Sequence, residues 1–176
     1  DPDAWAKLFA ASGARFAGPV AEHADGFAMW DSALTGWNAA RMGPKRDVVG
    51  EMERAIRNQG LKFIATFHHQ WLWAWYPTFD KNVDASDPRY AGLYGPVLTK
   101  EAWDYTAKEQ LETSPEFSTR WEAKVREVID KYRPDLLWFD SRLGNIAEKN
   151  RLEFLAYYYN KAAEWSREVV VTYKNR

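Results

Sequence analysis

Four short apolar runs in this sequence each end in side chains that can donate, accept or attack. "GPVAEHAD" closes on His23 and Asp25, "LKFIATFHH" on His68 and His69, "PDLLWFD" on Asp140, and "EVVVTYKN" on Tyr173, Lys174 and Asn175. Asp140 is the sharpest case. It follows Leu136, Leu137, Trp138 and Phe139. An acid carried into such surroundings must be solvated, paired or used, because burying it unpaired is very costly. A carboxylate held on a rigid strand end is suited to nucleophilic work. A plainer role also fits, since Asp140-Ser141 has the composition of a turn or a helix cap. The histidines suit either hydrogen bonding to a polar ligand or structural bonding. Adjacent His68 and His69 hint at a metal, but neighbours on a strand point to opposite faces. With three His in the whole chain, no metal centre and no cofactor is expected.

"HHQWLWAWYP" adds Trp71, Trp73 and Trp75 at alternate positions. If the segment is extended, the three rings share one face. They then serve either as an apolar clamp over the end of the core or as a platform for sugar rings, whose C–H faces pack on flat aromatics. Both readings fit the residues.

The elements that must position these groups follow from periodicity. Asp3 is placed to cap a first helix with Trp5, Leu8 and Phe9 at helical spacing, stopped by Gly13. "ARFAGPVAEH" reads as one buried strand. Asp47 caps a helix whose stripe is Val48, Val49, Met52, Ala55 and Ile56, ended by Gly60. "LKFIATF" is the second strand. Residues 70 to about 114 form a long segment of the kind that is often functional, with a helix near 100–111. A helix from Ser114-Pro115 carries Trp121, Val125, Val128, Ile129 and Tyr132 on one face and ends at Pro134. "DLLWFD" is the third strand. A last helix spans roughly 147–165, with Leu152, Leu155, Ala156 and Tyr159 on one side, before a fourth strand, "EVVVTYKN".

This αβαβαβαβ order, with continuously apolar strands, argues for a parallel sheet covered by helices. The expected fold is α/β: part of a (β/α)8 TIM-like barrel, about four parallel strands with their helices. The first strand and the C-terminal half of that single catalytic domain are expected to lie outside the sequence. An open doubly wound sheet is the alternative, though the glycine-rich phosphate turn it often carries is missing. In either parallel fold, sites lie at the carboxyl ends of the strands, so all four polar strand ends would open on one rim.

Composition excludes other classes. The formal net charge of −1 draws in neither nucleic acid nor anionic lipid. Absence of Cys rules out disulfides, thiolate nucleophiles and zinc–thiolate sites. No stretch reaches the roughly 18 apolar residues of a membrane span, and the opening Asp1-Pro2-Asp3 is not a secretion signal.

Several blocks then carry a resemblance. "FAASGARFAGPVAEHADGFAMWDSALTGWN", "GPKRDVVGEMERAIRNQGLKFIATF", "RPDLLWFD" and "FLAYYYNKA", in that order over nearly the whole chain, resemble the retaining α-L-fucosidases, glycoside hydrolases that remove terminal fucose. The resemblance implies a catalytic (β/α)8-like barrel, usually followed by a β-sandwich domain, acting on a fucosylated glycan in a secreted or periplasmic setting. It implies that Asp140, closing the "P-D-x-L-W-x-D" strand, is the nucleophile. "E-H-A-D-G-F" stands where the family has "K-H-H-D-G-F". His23 therefore carries over as a fucose contact, while Glu22 replaces the lysine and Ala24 the second histidine. His68, His69 and Trp71 resemble a His-His-x-Trp variant of the next strand end and are expected near substrate; Trp138, beside the nucleophile, is expected to contact substrate too. The acid/base carboxyl would come from outside this chain, so the 176 residues alone are expected to be inactive. A non-catalytic carbohydrate-binding relative, or a metal-dependent hydrolase built on His23, His68 and His69, remains as an alternative.

Overall fold

The computed structural model describes residues 1–109 and 113–174, with the backbone alone over 107–109. Strands are β1 (Phe16–Ala17), β2 (Val20–Glu22), β3 (Lys62–Phe67), β4 (Leu136–Phe139) and β5 (Val170–Tyr173). Helices are α1 (Pro2–Ala11), α2 (Val48–Asn58), α3 (Ala91–Tyr94), α4 (Lys100–Glu109), α5 (Pro115–Tyr132) and α6 (Glu148–Glu164). All strand pairs are parallel, and β1 and β2 share one edge of β3, followed by β4 and then β5. Spatial order therefore follows chain order, without the reversal of a doubly wound sheet.

Residue alternation separates the two faces of this sheet. Phe63, Ala65, Phe67, Leu137 and Phe139 are fully buried, packed with Trp121, Val125, Ile129 and Phe154 of α5 and α6. Burying each such large side chain stabilises the fold by about 1.5–3 kcal/mol. Ile64, Thr66, Leu136 and Trp138, at the alternate positions, are only half-buried. Helices α1 with α2, α2 with α5, and α5 with α6 pack on one another in succession around the first face. One helix-covered face and one inward face is the wall of a (β/α)8-type barrel, where an open doubly wound sheet carries helices on both sides.

Four local expectations are corrected. Asp1, not Asp3, caps α1, accepting from the Asp3 and Ala4 amides at 3.0 and 3.2 Å, and Trp5 and Leu8 lie exposed while Ala6 is buried. The first strand is two pieces. Pro19 has no N–H for the ladder, and a Cβ on Gly18 would sit 1.6 Å from the Ile64 carbonyl oxygen, so the chain crosses β3 closely there. Trp71, Trp73 and Trp75 do not share an extended face, because His69–Leu72 forms a 3-10 turn. Helix α6 buries Asn150, Phe154, Tyr158 and Ala162, while Leu152 and Tyr159 are exposed and Leu155 is partly buried. Both stripes are apolar at helical spacing, and only packing against α5 chooses between them. Helix α4 covers most of the span expected to be helical; residues 110 and 111 fall outside the described residues.

Candidate active site at the carboxyl rim

Strand register builds the site. The pairs Thr66 with Trp138 and Phe67 with Phe139 put His68 level with Asp140, each one step beyond its strand. Trp138 pairs with Thr172, which brings Lys174 to the same level on the other side. The backbone continues the ladder past the strand ends, with the Asp140 amide donating to the Phe67 carbonyl at 3.1 Å and the Lys174 amide to the Phe139 carbonyl at 2.9 Å. Asp140, His68 and Lys174 thus share the inward face with Trp138.

The side chains converge accordingly. His68 Nδ1 lies 3.2 Å from Asp140 Oδ2, and Lys174 Nζ lies 3.3 Å from Oδ1. The Ser141 amide donates to Oδ1 at 2.8 Å. His23 stacks on His68, with ring centroids 4.3 Å apart and planes at 24°, and the Trp138 ring lies 5.3 Å from His68. Asp140 caps no helix: the 3-10 turn that follows begins at Leu143, and its capping residue Arg142 makes no side-chain cap bond.

Two opposed effects set the charge on Asp140. Burial raises its pKa, but the Ser141 amide, His68 and the Lys174 ammonium outweigh it, so the group is held below the ordinary carboxylate value. Burial is also the main influence on His68 and lowers its pKa, with His23 adding to that and the bond to Asp140 opposing it. His68 is therefore the neutral partner of an ionised Asp140. A carboxylate only accepts, so Nδ1 carries the proton and Nε2 is left as an acceptor.

The structure does not bring every expected residue to this rim. His69 is 2% exposed, stacked on Trp121 at 5.7 Å, with Nε2 3.4 Å from the Trp121 carbonyl oxygen. It faces the helices, and burial, the largest influence, pushes its pKa well down. Period-two alternation puts it there, one residue after His68. Asp25 closes a turn by accepting from the Phe27 amide at 3.0 Å. Tyr173 pairs with Phe139 in register, so it belongs to the helix-side face, and Asn175 lies outside the described residues. Trp73 packs edge-on against Phe117 at 5.3 Å. Trp71 meets Trp75 edge-on at 5.3 Å and lies under the Arg142 guanidinium at 3.9 Å.

Two positioning groups had little or no sequence signal. Gln70 is fully buried and donates from Nε2 to the carbonyls of Asp140 and Ser141, at 2.8 and 3.1 Å. Glu22 and Lys124 form a buried pair, 0% and 3% exposed, with contacts of 2.6 and 2.8 Å. The Glu22 side chain thus points to α5, away from the rim opened by His23. Lys174 was visible as a strand-end cation, but only the register aims it at Asp140. A hollow of about 540 Å³ between α6 and β5 is lined by Arg142, Glu148, Arg151 and Lys174 as well as by Leu143, Leu152 and Val171; Asp140, His68 and His23 are not among its lining residues. Among the described residues, no three His, Asp or Glu side chains form a metal-ligating group, and no helix is long and apolar enough to cross a membrane.

Comparison with known proteins places this arrangement. The family model described as alpha-L-fucosidase matches residues 1–176. Tissue alpha-L-fucosidase of Rattus norvegicus is 30% identical over 171 residues, covering 96% of this chain and 31% of that protein. Plasma alpha-L-fucosidase of the same species is 32% identical over 172 residues, with the same coverage of 96% and 31%. The crystal structure of Thermotoga maritima alpha-fucosidase in complex with fucose superposes with a TM-score of 0.64 at 31% identity, covering 97% of this chain and 35% of that one. The chain thus spans about a third of the length of these relatives. Matched from end to end by the family's own model, with the same parallel sheet and covering helices, the chain belongs to the alpha-L-fucosidase family.

Proposed function

We propose that the protein carrying this chain is a retaining glycosidase that removes terminal α-L-fucose from glycans, with Asp140 as nucleophile. The observation that carries this reading is a carboxylate fixed at a strand end and flanked by two stacked imidazoles and a lysine amine. Asp140 attacks the anomeric carbon and the leaving oxygen departs with the proton of a second carboxyl group, giving a covalent glycosyl–enzyme that water then hydrolyses. That second carboxyl stands about 5–5.5 Å from the first in retaining enzymes; we place it elsewhere in the protein, in the rest of the barrel. A β-sandwich domain after the barrel belongs to the same proposal.

The surrounding side chains have separable tasks. Gln70 fixes the backbone of Asp140 and Ser141, which aims the carboxylate. His68 holds Oδ2 through Nδ1 and offers Nε2 to a sugar hydroxyl, and exposed His23 offers a second contact. Trp138 supplies an apolar wall. Trp71 lies beneath the guanidinium of Arg142, two residues beyond Asp140. His69 has no such task, which also removes the geometry of a metal site made from His23, His68 and His69. The word plasma in the name of one relative supports a secreted setting.

The test is release of nitrophenol from 4-nitrophenyl α-L-fucoside by the full-length protein, with and without chelator. Release that the chelator leaves unchanged is the expected result. A second reading, a non-catalytic fucose-binding relative, is favoured by Ala24 in place of the family's second histidine. Fucose binding without release would establish it, and chelator-sensitive release would instead require a metal.

Lys174→Met gives a further check with a definite sign. Removing the ammonium takes away one of the influences that lower the Asp140 pKa. The acid limb of the kcat/KM profile should therefore move to higher pH, with the loss of activity largest on the acid side. A profile that falls uniformly, with its limb unmoved, would separate Lys174 from the charge on Asp140.

A further inference from the structure

Two residues in this rim adopt left-handed backbone conformations without being glycine: Ala74, at φ +59°, and Arg142, at φ +70°. Residues held this way cost about 1–3 kcal/mol each and persist where the surroundings enforce them, often at ligand sites. Neither ends an α-helix, unlike Arg133 after α5. Each instead flanks the same aromatic pair. Ala74 lies between Trp71 and Trp75 in sequence and is buried, while Arg142 lays its guanidinium over Trp71 at 3.9 Å. Trp71 in turn abuts the edge of Trp75 at 5.3 Å, and Trp75 remains 47% exposed.

This surface is rigid and adjacent to Asp140. Arg142 is two residues beyond Asp140, so their Cα atoms are at most about 7.6 Å apart. The 3-10 turn carrying Trp71 is clamped from outside by the segment 91–95. Gly95, at φ +84°, comes so close that an added Cβ would sit 2.8 Å from the Leu72 carbonyl oxygen, and one on Gly26 would sit 1.9 Å from that of Leu93. An aromatic face fixed in this way binds with little ordering cost.

We infer that Arg142, Trp71 and Trp75 form a leaving-group subsite, which takes a pyranose ring linked to the fucose and stacks its C–H face on Trp75. The inference rests on the fucosidase reading and deepens it, since a sugar attached to the scissile oxygen must lie next to the nucleophile's pocket. Flat aromatic rings suit C–H faces, and the Arg142 guanidinium laid over Trp71 helps hold that ring in place. Trp73, packed on Phe117, takes no part.

The experiment compares two probes on the full-length protein: α-L-fucosyl fluoride, which has no leaving sugar, and a set of (1→2)-, (1→3)-, (1→4)- and (1→6)-linked α-L-fucosyl hexoses. For Trp75→Ala, the ratio of kcat/KM on the best disaccharide to kcat/KM on the fluoride should fall about tenfold, the scale of one aromatic contact. Trp75→Phe, which keeps a flat ring, should restore most of that ratio. An unchanged ratio in Trp75→Ala overturns the subsite. So does a wild type that hydrolyses the fluoride but none of the disaccharides. Failure of the wild type on the fluoride as well sinks the fucosidase reading itself, and the subsite with it.

Discussion

Replacing Asp140 with glycine or asparagine should lower kcat toward 4-nitrophenyl α-L-fucoside by on the order of 10⁴-fold or more, the scale seen when a nucleophile is removed. The fold should survive, since Asp140 sits at the rim with its side chain 18% exposed and the fully buried faces of β3 and β4 do not involve it. Far-UV circular dichroism close to wild type would confirm that. A positive control makes the result specific. In Asp140→Gly, added azide can occupy the vacated space and attack the anomeric carbon from the nucleophile's side, with the departing group taking the bonding pair. The product is then β-L-fucosyl azide, of inverted configuration. Recovery of rate with that product identifies a nucleophile. Activity close to wild type in either variant would remove Asp140 from the mechanism.

Lys124→Met should destabilise the protein by about 3–5 kcal/mol, because it strands the Glu22 carboxylate in a fully buried site with no countercharge. Replacing both partners, as Glu22→Leu with Lys124→Met, should recover most of the loss, since a buried ion pair and an apolar pair of similar volume often differ little. Urea unfolding of the full-length variants measures both quantities. A single variant as stable as wild type would show that the pair is solvated. Glu22 directly precedes His23, so this pair also anchors the β2 end from which His23 stacks on His68. Loss of activity that returns in the double variant is expected for that reason.

Much of this was legible in the residues. Continuous apolar runs alternating with amphipathic stripes specify a parallel sheet with helices, and Val49, Met52, Ala55 and Ile56 are buried on α2 as their spacing requires. The rule that parallel strands open their sites at their carboxyl ends drew attention to His23, His68, Asp140 and Lys174, but equally to Asp25, His69 and Tyr173, which the structure turns elsewhere, and to Asn175, outside the described residues. Local pattern failed where two apolar stripes competed on α6, where Gly18-Pro19 divided a strand, and where a 3-10 turn rotated Trp71, Trp73 and Trp75 off a common face.

The sequence by itself determined which side chains lie at strand ends; it placed His68 and His69 together near substrate, although the alternation of neighbours along a strand already spoke against their sharing a face. Only the tertiary structure decided their partners. Parallel register is a relation between segments 72 residues apart, as for His68 and Asp140, and no local propensity encodes it. The same holds for Gln70 holding the Asp140 backbone and for Glu22 meeting Lys124, whose contacts span 70 and 102 residues. A carboxylate's charge depends on what lies within a few ångströms, and that is settled by packing.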